Sequence, residues 1–501
     1  MAGAGDETVF TGDSRTVTAA LKALRASYRV VTERPLDVRR TWLDSADLRL
    51  HRAGLALAAT SVAGSPDVLE LGPVDGGAAL AVPDRPDTDR PDTDGRPRLL
   101  ADLPEPLKEP LGPVLDVRAL LPFVELTTSV VTGALLDDEG KTVVRLAHER
   151  PDRLRLIPVR GYAKDAARAA RTVRAAGLLP DDRSTYRVAL AAAGLDPDAV
   201  TEPAMRADLP AGVAVARVLL GFLDELEAAL EGTIADVDTE FLHDLRVAVR
   251  RSRSAVKLLA DALPPALVAW AGPQLKWLGD LTTPVRDLDV HLLGLPEAAA
   301  RLRGGRPEDL QPLADHLAAI RAKERRALVR GLRSARFERF RVRWRAELEA
   351  LAAVEDEDAG PRAAEVGLAH LARAHRRVVR PGSRITPESP ATDLHDLRKR
   401  GKELRYLLEI FSPLLEGDGA RRGVKELKGL QDVLGRFQDG EVQAEAVVAM
   451  AEARLAAGTA PAVTLLAMGE IAAGLHDHQL AARQEFAERF ERFARAGGPP
   501  R

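Results

Sequence analysis

The stretch His243-Asp244-Leu245-Arg246 recurs as His395-Asp396-Leu397-Arg398, at an offset of 152 residues (395 minus 243). The same offset aligns Leu275–Asp280 with Leu427–Asp432. Two separated blocks that share one offset, with no insertion between them, indicate a duplicated unit of about 150 residues. The chain around these blocks is therefore expected to consist of two related halves.

The part of the chain that carries the repeat is dominated by helical patterns. From residue 211 onward, short stretches rich in Pro and Gly interrupt long amphipathic segments, which predicts eight or more helices with short connections. We predict an all-α domain over residues 210–495, with halves at about 210–350 and 362–495.

Each copy of the repeated block carries a row of basic side chains. In the first copy the steps of three and four residues place five of them on one helix face: His243, Arg246, Arg250, Arg253 and Lys257. The second copy keeps His395, Arg398, Lys402 and Arg405, and then breaks at Glu409. The apolar stripe lies one residue earlier in both copies, so each row should border the buried face.

These rows are candidates for binding an anion. Cations in the first turn of a helix oppose its dipole, and a bound anion would relieve that conflict. Thr239 and Thr392 are the candidate N-caps of the two helices. Lys276 and Lys428, which the offset also pairs, are added to the candidate ligands. The alternative is a solvated basic face, but the duplicated register favours a binding site.

The amino-acid composition argues against several other classes of function. The chain has 501 residues, 72 Lys+Arg against 75 Asp+Glu, and a net charge of −3, so no overall positive field attracts nucleic acid. The absence of cysteine excludes thiolate metal sites and disulfides. Arg217 interrupts the apolar stretch Gly212–Leu223, which predicts a core helix and no membrane span. We expect a cytoplasmic protein without a secretory signal, and we predict no cofactor, no metal site and no catalytic residue.

The first 200 residues favour a mixed α+β domain. Helices are predicted at Arg15–Ser27 and Ala163–Ala176. Strands are predicted at Val38–Leu43, Gly54–Thr60, Val68–Leu71, Ala78–Val82, Val124–Thr132 and Thr142–Ala147. A segment rich in Pro and Asp, at about residues 83–98, is predicted to be a disordered loop.

The repeated motifs resemble those of the CHAD family, the conserved histidine alpha-helical domain. The matching strings are His243–Arg251, Arg286–Val290 and His395–Lys402, within about residues 210–495. The resemblance implies a fold of two pseudo-symmetric four-helix bundles. It also implies that inorganic polyphosphate binds in a basic central channel.

The first part resembles the CYTH family of triphosphate tunnel proteins, over about residues 5–200. The match rests on Thr41–Leu50 and Arg52–Leu57. The resemblance implies an antiparallel β-barrel or tunnel that holds triphosphate. Where the family carries Arg-x-Arg this chain has Ala58-Ala59-Thr60, and the family's Glu-x-Glu-x-Lys signature is missing. We therefore expect a degenerate, inactive tunnel, although five glutamates could supply a rearranged metal site: Glu7, Glu33, Glu70, Glu125 and Glu149.

The sequence as a whole predicts a protein that binds inorganic polyphosphate without catalysis. Two alternatives remain open, an inorganic triphosphatase of the CYTH type that depends on a metal, and a scaffold that docks an acidic partner. The oligomeric state cannot be deduced from the sequence.

Overall fold

The computed structural model describes residues 7–65, 67–77, 79–80, 96–199, 203–354, 360–415 and 418–496. The chain divides into two compact units, Met1–Val200 and Thr201–Arg501. Most of the loop predicted at 83–98, and three residues of the strand predicted at 78–82, lie outside the described residues.

The first unit is built on one antiparallel sheet. Its strands are β1 (Thr8–Thr11), β2 (Arg29–Thr32), β3 (Leu36–Asp44), β4 (Leu55–Val62), β5 (Val68–Pro73), β6 (Leu121–Leu136), β7 (Thr142–Arg150), β8 (Arg153–Pro158) and β9 (Leu179–Pro180). They pair in the order β5-β4-β3-β6-β7-β8-β1-β9, and β2 also pairs with β6. The predicted antiparallel sheet is therefore confirmed.

Closure of the sheet into a barrel is not observed. Among the described strands, β5 pairs only with β4 and β9 pairs only with β1, so the hydrogen-bonded ladder stays open between these two ends. The physical reason is visible at one end, because β9 has only two residues and cannot form a second ladder.

Five helices cover the sheet: α1 (Ser14–Ser27), α2 (Arg49–Arg52), α3 (Glu105–Leu115), α4 (Ala163–Ala175) and α5 (Thr185–Ala192). One hydrophobic cluster joins α1 and α4 to β7 and β8, and a second joins α2 and α3 to β4 and β5. Helix α3 is not apparent from the sequence, because Pro110 and Pro113 lie inside it, where proline normally ends a helix.

Nine helices make up the described part of the second unit. They are α6 (Ala211–Ala235), α7 (Thr239–Leu258), α8 (Pro265–Ala300), α9 (Gln311–Leu332), α10 (Ala335–Ala352), α11 (Ala363–Gly382), α12 (Ala391–Phe411), α13 (Asp418–Ala456) and α14 (Ala462–Ala496). The predicted helical region is confirmed. No helix among the described residues has the length and apolar character needed to cross a membrane.

Helix starts in this unit repeat at the offset found in the sequence. Residue 211 begins α6 and residue 363 begins α11, while residue 239 begins α7 and residue 391 begins α12. Both differences equal 152 residues (363 minus 211 and 391 minus 239). The offset of the sequence motifs is thus also the offset of the helices that carry them.

Candidate functional site

The first basic row lies on α7, whose N-terminus is set by an aspartate. The carboxylate of Asp238 accepts hydrogen bonds from the backbone N–H groups of Glu240 (2.8 Å) and Phe241 (3.1 Å). The predicted cap Thr239 is instead the first residue of the helix. The predicted cap Thr392 is also wrong, since it lies inside α12. An aspartate cap both satisfies free N–H groups and complements the helix dipole.

The basic row borders the buried face of α7, as predicted. Leu245 and Val249 are fully buried, whereas Arg250 and Arg253 are exposed. The apolar stripe therefore fixes the orientation of the helix, and the arginines one residue further along the chain reach the surface.

Arg246 is held at the contact between α7 and α8. The Nη1 of Arg246 donates a hydrogen bond to the hydroxyl of Thr283 and lies 3.4 Å from the carbonyl oxygen of Gly279. Burial lowers the pKa of Arg246, and the nearby Asp287 carboxylate opposes that effect. The guanidinium is thus positioned by neutral oxygens and keeps further donors available.

The second row lies on α12 beside α13, and its arginines pair with carboxylates. Arg398 Nη2 lies 3.1 Å from Asp439 Oδ1, and Asp439 is the residue that the offset pairs with Asp287. His395 Nδ1 lies 4.0 Å from Glu441, and Arg405 Nε lies 3.2 Å from Glu409.

The two rows meet where α7 packs against α12. Lys257 Nζ lies 2.9 Å from Glu403, and Arg251 Nε lies 3.6 Å from Glu409. The offset relates 251 to 403 and 257 to 409, so each basic residue contacts the copy of the other. Each of the two ion pairs therefore joins a residue of α7 to the residue of α12 that the offset assigns to the other pair.

This exchange brings the centres of the rows together. Arg250 and Lys402, which the offset pairs, are close enough to repel each other. Burial, and then the charges of Arg398 and Arg250, lower the pKa of Lys402 to about 8. Within the described ranges, Arg250, Arg253 and Lys402 have no carboxylate within 4.0 Å, so they lack an ion-pair partner, and the more distant Asp439 carboxylate offsets only part of the effect on Lys402.

Three predicted lysines lie apart from this cluster, whereas His243 lies close enough to Arg250 for their charges to interact. Lys257 is engaged by Glu403, and Lys276 is exposed and pairs with Asp280 at 2.6 Å. Lys428 lines an apolar cavity. Burial, and then the Arg286 guanidinium, lower the pKa of His243, so the imidazole is expected to be neutral near pH 7.

Asp289, in the stretch Arg286–Val290, belongs to a buried ion pair. Asp289 is fully buried and its Oδ1 lies 2.5 Å from Arg321 Nε on α9. The Asp289 carboxylate therefore has a structural role in the packing of α8 against α9. Arg377 on α11 lies 3.2 Å from Glu403 and so adds another cation beside Lys257.

The first unit contains a separate polar pocket of about 430 Å³, lined by residues of β1, β3, β4, β5 and β8. Its arginines already have carboxylate partners: Arg40 lies 3.7 Å from Glu149, Arg153 lies 3.2 Å from Asp181, and Arg155 lies 3.1 Å from Glu149. These arginines lie far apart along the chain, so no local sequence pattern shows that they share a pocket.

The five glutamates considered for a metal site do not form a single cluster. Glu149 is engaged by arginines, Glu33 accepts a hydrogen bond from Thr132, and Glu125 accepts one from Thr41. Glu7 and Glu70 line the pocket. No group of three or more His, Asp or Glu side chains in the described part of the chain could hold a metal ion.

Comparison with known proteins identifies the helical region. Residues 217–448 match the family model of the CHAD domain, so the chain contains a CHAD domain there. The match lies wholly in the second unit, and the CYTH-like character of the first unit stays a prediction. A search of curated proteins found no match.

Several solved structures resemble the chain, and three of them are compared with it as follows. The crystal structure of the CHAD domain from the plant Ricinus communis is 25% identical, with a TM-score of 0.48, over 59% of this chain and 97% of that chain. PptA from Streptomyces chartreusis is 18% identical, with a TM-score of 0.44, over 56% and 99%. The PH1819 protein from Pyrococcus horikoshii OT3 is 11% identical, with a TM-score of 0.23, over 37% and 99%.

Proposed function

We propose that the helical unit binds inorganic polyphosphate along the basic rows of α7 and α12. The observation that carries this proposal is the cluster of Arg250, Arg253 and Lys402, which lacks carboxylate partners within the described residues. The CHAD domain is in general a family linked to polyphosphate binding, which agrees with the chemistry of the cluster.

The residue types suit a linear polyanion. Arginine offers several N–H donors in a fixed plane, which matches the oxygens of a phosphate group, and lysine contributes a mobile point charge. A polyphosphate chain would neutralise the repulsion among Arg250, Lys402 and Arg398, which the unliganded protein must tolerate. Arg246 and Arg405 extend the contact toward either end.

The same proposal treats the helical unit as two pseudo-symmetric halves of four equivalent helices each, α6–α9 and α11–α14, with α10 as an additional helix of the first half. Its support is the repeated helix starts and the exchanged ion pairs of Lys257–Glu403 and Arg251–Glu409. A long polyphosphate chain would then contact both rows at once and gain effective concentration for the second contact.

Titration of the full chain with polyphosphate of short and of long defined length tests the proposal. We expect Arg250→Gln and Lys402→Gln each to weaken binding of the long chain by tenfold or more, since hydrogen bonds to charged groups contribute about 1.5–3 kcal/mol. Arg495→Gln is the matched control, because Arg495 is exposed and pairs only with Glu491 one helical turn away. Wild-type affinity in both site variants would refute the proposal.

The triphosphatase alternative would use the pocket of the first unit. We favour binding without catalysis, because a phosphate chain there would first have to displace Glu149 and Asp181 from Arg40, Arg153 and Arg155. A competition experiment tests the other alternative, a scaffold that docks an acidic partner on the same rows. If the acidic partner is the natural ligand, it should bind more tightly than polyphosphate, and only an excess of polyphosphate should displace it.

A further inference from the structure

The pocket of about 430 Å³ in the first unit lies over one face of β3, β4 and β5. Arg40 lies opposite Thr60, while Trp42 lies opposite Ala58, which in turn lies opposite Glu70. Alternate residues of a strand point to the same face of a sheet, so these five side chains share the face that lines the pocket. The two small residues of β4 therefore leave room for a molecule between Arg40 and Glu70.

Arg40 supplies a group that can bind an anion. Its side chain is mostly buried, its only ion-pair partner in the described part of the chain is Glu149, at 3.7 Å, and none of its N–H groups donates a hydrogen bond there. Glu149 is shared with Arg153 (3.4 Å) and Arg155 (3.1 Å), each of which has a second carboxylate partner. Burial lowers the pKa of Arg40, and the Glu149 carboxylate opposes that effect only in part. Arg40 is thus the arginine of this group whose donors remain for a ligand.

Glu70 supplies a group that can bind a cation. Neither Glu70 nor Asp182, which also lines the pocket, has an ion pair or a side-chain hydrogen bond with the described residues. The described lining holds five carboxylates and four guanidinium groups, and their partners outside it add Glu149 and Arg187. Six carboxylates thus face five guanidinium groups, and Arg187 is also shared with Asp198. The pocket therefore has no excess of positive charge.

This distribution of charge selects the kind of ligand. A polyanion would be repelled by the unpaired carboxylates of Glu70 and Asp182. A simple cation would leave the donors of Arg40 unused. A molecule with one group of each sign satisfies both Arg40 and Glu70.

We propose that this pocket binds a small zwitterion that carries a carboxylate at one end and an ammonium group at the other. Arg40 would hold the carboxylate and Glu70 the ammonium group. The body of the ligand would lie over Ala58 and Thr60, with Trp42 as an apolar wall, since a ligand pocket usually combines apolar walls with a few placed polar groups.

The register of the sheet sets the length of the ligand. Two strand spacings of about 4.8 Å, and two residues of about 3.4 Å along the strands, place the Cα atoms of Arg40 and Glu70 about 12 Å apart. Side chains stand roughly perpendicular to a sheet, and a charged hydrogen bond at each end takes up about 3 Å. About 6 Å then remains between the two charged groups of the ligand, which fits an ω-amino acid of about five or six carbon atoms better than an α-amino acid.

Isothermal titration calorimetry of the full-length protein tests the proposal with four compounds of equal carbon number: 6-aminohexanoate, its isomer norleucine, hexanoate and hexylamine. We expect 6-aminohexanoate to bind at least about tenfold more tightly than the other three, because each of these leaves Arg40 or Glu70 without its charged partner. Equal affinity for 6-aminohexanoate and either hexanoate or hexylamine would overturn the assignment of a zwitterion. Tighter binding of norleucine, or no binding of any of the four, would also overturn the proposal.

Variants locate the binding. Glu70→Gln should bind 6-aminohexanoate no more tightly than hexanoate, whereas Asp37→Asn, at an exposed carboxylate on the opposite face of β3, should behave like the parent. Ala58→Leu fills the space over β4 and should abolish binding. Circular dichroism verifies folding, and Glu70→Gln removes no ion pair or hydrogen bond among the described residues. A folded Glu70→Gln variant that keeps the preference of the parent would refute the site.

Tripolyphosphate distinguishes this site from a phosphate site. A saturating concentration should leave the affinity for 6-aminohexanoate unchanged, because Glu70 and Asp182 repel a polyanion, and displacement would overturn the proposal. Lys402 belongs to the helical unit, so Lys402→Gln should bind 6-aminohexanoate like the parent. The zwitterion site and the polyphosphate site can therefore fail separately.

Discussion

Replacing Lys402 with methionine should make the folded protein more stable at neutral pH. The crossing of α7 and α12 holds this ammonium group partly buried between Arg398 and Arg250, and its pKa falls from 10.5 to about 8. Each unit of pKa shift corresponds to about 1.36 kcal/mol, which sets a ceiling of about 3.4 kcal/mol. Since the side chain is only partly buried and solvent screens it, we expect a gain on the order of 1–2 kcal/mol.

The sign of the pH dependence follows from linkage. Below pH 8 Lys402 is protonated in both states, so the folded protein bears the full cost of the charge. Between pH 8 and 10.5 the unfolded chain binds a proton that the folded protein releases, and the stability contributed by this residue rises with pH. The difference in the free energy of unfolding between Lys402→Met and the parent should therefore be largest near pH 7 and decrease toward pH 10.

Urea unfolding followed by circular dichroism, at pH 7 and at pH 10, measures this difference. Lys276→Met is the matched control, because Lys276 is exposed and paired with Asp280, so its removal should not stabilise the protein. A bound polyanion should reverse the pKa shift, so polyphosphate binding near pH 8 should take up a proton. The reasoning is refuted if Lys402→Met is no more stable than the parent at pH 7, or if the gain is the same at both pH values.

Three further results are expected. Tripling the salt concentration should weaken polyphosphate binding about a hundredfold, given roughly six phosphate contacts and a slope of about 0.7 per contact for single strands; an affinity independent of salt would exclude the rows as the site. Glu403→Gln should raise polyphosphate affinity severalfold, because it frees Lys257 and Arg377, whereas Glu347→Gln at an exposed helical pair should not, and calorimetric titration compares the two. Phosphate release from tripolyphosphate with magnesium should be negligible, and robust turnover that Glu7→Gln abolishes would contradict this expectation.

Local periodicity was enough to predict the helices that carry the rows. The spacing of Arg246, Arg250 and Arg253 relative to Leu245 and Val249 already fixes which side chains lie beside the buried face. Strand β6 and helix α4 were also recognisable, because their apolar patterns are regular and few breakers interrupt them. The offset between the motifs predicted a repeat whose helix starts agree with it.

The sequence alone did not predict the contacts between residues that are distant along the chain. The sequence shows only that the second row breaks at Glu409, whereas the structure shows that Glu409 pairs with Arg251 across the helix crossing and with Arg405 on its own helix. Likewise, Arg40 and Arg155 lie on β3 and β8, more than a hundred residues apart in the chain, so no local pattern reveals their shared pocket.

The break at Glu409 also explains how two similar rows can pack together without destroying the positive cluster between them. If the second row had kept a cation at position 409, as the first does at Lys257, repulsion would act at the contact with Arg251. The duplication instead carries glutamate at both contact positions, 403 and 409, so each crossing contact is an attractive ion pair. The ion pairs Lys257–Glu403 and Arg251–Glu409 offset the repulsion between Arg250 and Lys402. Among the described residues, Arg250 and Lys402 have no carboxylate partner within 4.0 Å, so an anion can bind them.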